Sequence, residues 1–453
     1  MRGRSTTSGS AADVLIIGAG VSGLEAARHL DRAGLNVLVV EARPRVGGRI
    51  ETHRPAGWPA PVEAGAEFVH GRPADLVRRL RASKARIVEM KPKHALVAGG
   101  NVHAAGRAWQ QAQSWMERLP DEDASYDDVM AAGRRPLRPD VRRLLRGFVE
   151  GFNAADATRV SAKGLHQQAE AAQAEQGDRL FRVPGGYDAL TEHLARPLLV
   201  RGRVLLSLAV TTVRHGPPGI EAIANNTWGG PPVRLRAKVA LVTLPLGILK
   251  TRRGPGAVKF HPPLPAAKRE AIARLAMGRV IKVVVRFRDR LGAGLFSNVG
   301  PSVNFLHLSR ASVPTWWVPA PAPSSCLVGW VAGPAADRFA DRFADHDGSD
   351  VGRIHAAVES LARGLGVSPR RLTGGIEDAL LFDWGRDEWA RGAYSWEPRG
   401  AVDAPAALAA PVDSRLYFAG EATNTNGDLG TVHGALATGR RAASEILKRF
   451  SRR

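Results

Sequence analysis

The sequence predicts an α/β fold, and three observations lead there. Residues 13–40 read as strand, helix and strand. A glycine cluster stands at the first strand-to-helix turn. Short apolar strands and amphipathic helices then continue to the C-terminus. The 453 residues suffice for two ordinary domains and a large buried core. Hydrophobic residues make up 44%, which excludes wholesale disorder.

Val14-Leu15-Ile16-Ile17 is a continuous apolar run of the kind a buried parallel strand carries. It leads into Gly18-Ala19-Gly20-Val21-Ser22-Gly23. Leu24, Ala27, Leu30 and Ala33 recur at helical spacing, and Gly34 stands where a helix stops. Val37-Leu38-Val39-Val40 is a second apolar strand, closed by Glu41. From about 76 to 180 helical periodicity dominates, with an acidic knot at Asp121-Glu122-Asp123 and Asp127-Asp128. Strands are expected over Val204 to Val213 and Val239 to Thr243, then a helix from Pro265 to Ala276 ended by Gly278. Val280 to Phe287 reads as a strand, followed by the Pro-rich aromatic stretch Pro314 to Pro323 and a strand from Cys326 to Val331. A helix from Val351 to Leu365, a short strand from Leu416 to Ala419 and a final helix from Thr431 to Phe450 complete the chain.

The single cysteine, Cys326, rules out an internal disulfide framework and any multi-cysteine metal site; no metal is expected. The composition suits a reducing compartment, and a cytoplasmic location is expected. No run of about 18 apolar residues exists to cross a membrane. Met1 to Ala12 is polar and small, without a signal-peptide core, and is expected to be flexible. Lys and Arg number 64 against 43 Asp and Glu, a formal charge of +21, yet only ten of those cations are Lys. They are scattered, with no aromatic-interleaved basic block. They read as a solvated Arg-rich surface rather than a nucleic-acid site.

The glycine cluster carries chemistry because of its context. Gly18 permits a tight turn, Gly20 lets backbone approach a pyrophosphate, and Gly23 lets helix and strand pack closely. The helix start, at Ser22, offers free N–H groups and a positive dipole end to that phosphate. Glu41 ends the second strand, placed to accept hydrogen bonds from ribose hydroxyls. Beyond it come Ala42, Arg43, Gly47, Gly48 and Arg49. The glycine pair permits close passage of a ligand, and Arg49 can neutralise phosphate charge.

The run from Gly18 to Arg49 resembles the extended FAD fingerprint of the flavin amine oxidases, the group of monoamine oxidases, polyamine oxidases and lysine-specific histone demethylases. Glu63-Ala64-Gly65-Ala66-Glu67-Phe68-Val69-His70-Gly71 resembles the family's second flavin-contacting segment. Pro184-Gly185-Gly186-Tyr187 and Thr243-Leu244-Pro245-Leu246-Gly247 resemble later landmarks. Leu416 to Glu421 resembles the last flavin loop, with Gly420 beside the Glu that holds the ribityl chain. Thr431-Val432-His433-Gly434-Ala435 resembles the start of the helix aimed at the flavin. The resemblance implies a Rossmann-like FAD domain of the glutathione-reductase type, assembled from 13–75, 184–255 and 373–453. An inserted α+β substrate domain would comprise 76–183 and 256–372. Gly65, Ala66, Glu67, Phe68, Val210 and Trp384 are implied flavin contacts.

The resemblance also implies the chemistry. An amine gives up a hydride to flavin N5, the imine hydrolyses, and O2 reoxidises the flavin to give H2O2. On strand alternation Lys282 shares a face with Val280, Val284 and Arg286, a solvent-facing pattern. It matches, however, the family lysine that holds a water against N5. Tyr394, in Arg391-Gly392-Ala393-Tyr394-Ser395, matches one wall of the amine-guiding aromatic cage, and Trp384 lies in the same segment. Thr431 stands where monoamine oxidases carry the second tyrosine, leaving the cage half open. His70 matches a tunnel-lining histidine of animal polyamine oxidases. Ala393 stands where monoamine oxidases carry the cysteine that binds FAD covalently, so non-covalent FAD is expected.

The expectation is a FAD-dependent amine oxidase acting on a small mono- or polyamine with O2, as a monomer or homodimer, with no nucleic-acid or membrane partner. A flavin desaturase or porphyrinogen-type oxidase of the same fold, and a chromatin-associated flavoprotein, are the alternatives.

Overall fold

The computed structural model describes residues 12–133, 137–288, 303–308, 311–319, 325–343 and 349–451. The expected flexible N-terminus lies outside these apart from Ala12, which opens the first strand. The end of the Pro314 to Pro323 stretch also lies outside them.

Strands Ala12–Ile17 and Val37–Val40 pair in parallel, joined by helix Val21–Arg32. Val233–Val242 lies parallel on the other side of the first strand, and Leu416–Phe418 extends the sheet beyond it. The short strand Val204–Leu205 adds in parallel to the outer edge of Val37–Val40. This sheet is covered on both faces, as its apolar runs require. On one face it meets Leu24, Leu30, Leu190, Leu194 and Leu436; on the other, Leu246, Leu264, Leu275 and Leu408. The final helix, Val432–Ser451, lies against the first, so close that a Cβ on Gly439 would fall 2.3 Å from the Ser22 carbonyl oxygen.

A second sheet runs Ile376–Asp383, Val280–Phe287, Cys326–Ala332, Thr315–Trp317, Phe305–Leu308, His94–Ala98 and Asn101–Ala104. Helix Asp350–Leu365 covers one face, packing Ile354, Val358 and Leu361 onto Ile281, Val283 and Val285. The opposite face carries Val284, Trp317 and Val328 and is buried too. That is why the alternation argument at Lys282 fails: neither face of its strand meets solvent.

Several local expectations need correction. The stretch after residue 76 is not helical throughout. After helix Ala74–Ala82, Val88–Met90 and His94–Ala98 are strands recruited by distant partners, Asn101–Ala104 forms a hairpin with the latter, and helices resume at Gly106. The helix expected to reach Ala276 ends at Arg274; Ala276–Gly278 instead pairs with Tyr394–Trp396. Strand Ile376–Asp383 follows the expected boundary at 372/373, yet it pairs with Val280–Phe287 in the second sheet.

Candidate functional site

One cavity of about 1810 Å³ runs from the first strand-to-helix turn to the second sheet. An ordinary small-molecule pocket holds roughly 300–1,000 Å³, so this one has room for a dinucleotide and a second ligand. Gly18, Gly20, Ser22, Glu41, Ala42, Arg43, Gly47, Gly48 and Arg49, from the first strands and their turns, line part of it. Gly65, Ala66, Glu67, Phe68, His70, Val210, Lys282, Trp384, Tyr394, Gly420, Glu421, Thr431 and Val432 line the rest. Gly23 alone of the expected residues does not line it.

The three motif glycines have three different environments. Gly18 has φ +109°, a conformation L side chains resist. Gly20 is extended, and a Cβ there would meet nothing within 4 Å. Gly23 packs so tightly that a Cβ would lie 2.1 Å from the Gly18 carbonyl oxygen. Glu41 accepts from Ala19 N at 2.7 Å and Arg43 N at 2.9 Å, which fixes its carboxylate at the strand end. Burial pushes its pKa up. These residues fit a dinucleotide: an open glycine, a helix N-terminus and a buried acid stand together in one cavity.

Arg43 pairs with Asp387 at 2.5 Å. Arg49 donates to Glu421 Oε1 at 2.9 Å and to Ala393 O at 2.7 Å. The other oxygen of Glu421 accepts from Ser395 N, Ser395 Oγ and Gly430 N. Glu421 therefore ties three distant segments around the cavity. Trp384 Nε1 donates to Ala64 O at 2.9 Å, joining its loop to the segment beginning at Glu63.

Lys282 is 1% exposed. Its ammonium donates to Glu63 O at 2.9 Å, Gly65 O at 3.0 Å and Glu67 Oε2 at 3.0 Å. All three hydrogens end on protein, so the expected contact to a water would require one of these bonds to open. Glu67 also accepts from Trp317 Nε1 at 3.1 Å and pairs with Arg182 at 2.6 Å. Burial opposes its ionisation, but Lys282 and Arg182 outweigh that and hold its pKa below the usual value. Burial raises Glu63 to about 7 despite hydrogen bonds from Tyr187 N and Thr52 Oγ1.

Tyr394 O–H donates to Phe152 O at 2.5 Å. A Cβ on Gly430 would lie 3.3 Å from the Tyr394 ring. Thr431 Oγ1 donates to Asp428 O at 2.8 Å and accepts from Gly434 N at 2.9 Å, an N-terminal cap for the final helix. His70 stands edge-on to Phe152, centroids 5.1 Å apart. Burial, with the nearby His433, lowers its pKa to about 4, so the imidazole is neutral at pH 7.

Sequence reasoning missed several cavity residues. Trp317 and Trp330 stand 5.9 Å apart, and Lys282 Nζ lies 5.7 Å from the Trp330 centroid. Glu175, Asp428 and His433 also line the cavity, with ligand-capable atoms within 4.8 Å of one another. His433, Trp317 and Trp330 lie in segments marked by the sequence but without an assigned role there, and Glu175 and Asp428 carry no local signal; each reaches the cavity only through the fold. The acidic knot is elsewhere: Asp123 accepts from Ser161 Oγ and Gly400 N, and Asp127 pairs with Arg146. None of its residues lines the cavity.

An α/β fold built on two main sheets brings a dinucleotide turn and a group of aromatic side chains to one cavity, an arrangement that fits a dinucleotide cofactor beside a second ligand. Comparison with known proteins gives the family. Residues 21–111 and 85–447 match the profile "flavin containing amine oxidoreductase", and the chain belongs to that family. It is 30% identical to polyamine oxidase 2 of Arabidopsis thaliana, over 97% of this chain and 89% of that one. It is 28% identical to lysine-specific histone demethylase 1 homolog 1 of the same plant over 97% of this chain, but spans only 53% of that relative. It spans about 59% and 57% of the next two demethylase homologues. Cyclohexylamine oxidase from Brevibacterium oxydans shares the fold with TM-score 0.78 at 22% identity, covering 98% of this chain and 100% of that one. Putrescine oxidase bound to putrescine does so with TM-score 0.77, also at 22% identity, covering 97% and 100%. The chain is thus a member of the flavin-containing amine oxidoreductase family with a mixed α/β fold, and it spans little more than half the length of the first of these curated relatives. No helix of the described residues is long and apolar enough to cross a membrane.

Proposed function

We propose that this enzyme is an amine oxidase that binds FAD non-covalently in a Rossmann-like domain and oxidises a small mono- or polyamine to an imine. The reading places it in the cytoplasm as a monomer or homodimer, with no nucleic-acid partner. The observation that carries it is one shared cavity, lined by the dinucleotide turn and also by Lys282, Tyr394, Thr431 and His70. The flavin supplies hydride acceptance at N5 and reoxidation by O2.

The chain's own residues do the rest. Gly20 leaves room for the pyrophosphate against the N-terminus of helix Val21–Arg32, and Glu41 receives the ribose hydroxyls. The Tyr394 ring offers a π face to the incoming amine. The neutral His70 can accept a hydrogen bond from the amine, which must itself be deprotonated before oxidation. Ala393 has no sulfur to bond FAD, and Cys326 does not line the cavity.

Anaerobic mixing with primary amines, polyamines and amino acids, followed by visible flavin absorbance, tests the activity. Bleaching by an amine supports the reading; no bleaching by any amine in the panel refutes it. Acid precipitation tests the linkage: yellow supernatant is expected, and colour retained in the pellet refutes non-covalent binding.

A further inference from the structure

We infer that Glu67 is the positioning residue for Lys282, holding its ammonium at the cavity wall and setting the positive field there. The inference rests on the flavin reading above and goes beyond it, since resemblance implied only that Glu67 touches flavin.

Three distant elements meet at this carboxylate. Lys282 comes from the middle of strand Val280–Phe287, and its partner stands 215 residues away in sequence. Arg182 ends strand Leu180–Arg182, which pairs with Phe68–His70. Trp317 comes from a third strand. Glu67 is 7% exposed, and both its oxygens are engaged. A lysine side chain has four rotatable bonds and a compact, strongly hydrated head. Two backbone carbonyls, Glu63 O and Gly65 O, hold that head from the loop side. Glu67 supplies its charged acceptor.

The neighbouring charges make this role distinct. Lys282 and Arg182 are two cations with one ionised carboxylate between them, a net +1. Glu63 is the other carboxyl near Lys282, but burial keeps it largely uncharged below pH about 7, and it faces Thr52 and Tyr187. Replacing Glu67 by Gln would leave a net +2 and exchange the charged acceptor of Lys282 for a neutral amide, loosening the hold on the ammonium at the cavity wall. In a water-poor site such a change acts at high strength.

The test uses holoenzyme. Flavin content and anaerobic bleaching of the wild type are measured first; their failure strikes the functional reading and not this one. The midpoint potential of bound flavin is then measured in wild type, Glu67→Gln, Lys282→Met and the double variant. Glu67→Gln is expected to raise the potential and to change the O2 reoxidation rate several-fold. In the Lys282→Met background the same change is expected to give a clearly smaller shift. An unchanged potential in Glu67→Gln overturns the proposal. Equal shifts in both backgrounds also overturn it, because Glu67 would then act directly rather than through Lys282. Should Glu67→Gln fail to fold, Glu67→Asp keeps the charge with one methylene fewer. A small upward shift there supports the proposal, and an unchanged or lowered potential refutes it.

Discussion

Two alanine substitutions three residues apart should have opposite effects. Gly20 sits at φ −71° and ψ 173°, which alanine adopts freely, and its Cβ would meet nothing within 4 Å. Gly20→Ala should therefore leave the apoprotein as stable as wild type or about 0.4–1 kcal/mol more stable, because the unfolded chain loses freedom. The new methyl group projects where a pyrophosphate would approach the helix, so flavin affinity should fall. Gly23 has no such room. Its Cβ would stand 2.1 Å from Gly18 O, 2.9 Å from Thr243 Oγ1 and 3.2 Å from Ile16 Cγ2. The nearest of these is backbone and cannot rotate away, so helix Val21–Arg32 must shift off its strand. Overpacking of this kind costs about 1–3 kcal/mol or more. Denaturant unfolding of the two apoproteins measures stability, and flavin fluorescence on titration measures binding. If Gly20→Ala unfolds earlier than wild type while binding flavin normally, the reasoning is wrong. Gly23→Ala of wild-type stability would refute it equally.

Other outcomes follow from the same geometry. Lys282→Met leaves Glu63 O and Gly65 O without their donor and Glu67 with a single cation. Breaking such a buried pair should cost roughly 3–5 kcal/mol, read as an earlier denaturation midpoint; an unchanged midpoint refutes the assigned bonds. His70 titrates near 4 when folded and near 6.5 unfolded, so the unfolded state takes up the proton first on acidification. Its stabilising contribution is complete above pH about 6.5 and is lost as pH falls toward 4, with a slope of about 1.4 kcal/mol per pH unit. His70→Asn should unfold with a flatter pH dependence between 5 and 6.5, and parallel profiles would contradict the burial argument. Because the amine must deprotonate, kcat/KM should rise from acid to neutral pH; a flat profile counts against the proposed chemistry. Tyr394→Phe removes the donor to Phe152 O but keeps the ring, so a modest loss of stability with KM near wild type is expected. A large rise in KM would instead give the hydroxyl a direct role.

Much of this protein was legible in one dimension because the relevant interactions are local. A continuous apolar strand, three glycines and a helical stripe span only residues 14 to 33, so the turn can be read locally even though Thr243 and Gly47 also bond to it in the fold. Glu41 could be placed because it ends the very next strand. Where pairing crosses the chain, local pattern misled. Val88 to Ala104 contains no strong strand signal, yet it is drawn into sheets by Leu180–Arg182 and Phe305–Leu308. Alternation put Lys282 toward solvent because it reports which side chains share a face and not what covers that face.

The amino-acid sequence by itself determined the α/β class, the dinucleotide turn and the cluster of segments whose resemblance implied a flavin site. Local backbone conformation and covalent spacing were enough for these. Tertiary structure alone decided the second sheet's membership, the burial of Lys282 and the company it keeps. Glu67, Arg182, Lys282 and Trp317 are scattered from residue 67 to residue 317. Packing of three strands brings them within hydrogen-bonding distance, and burial turns an ordinary set of charges into a fixed positive field at the cavity wall.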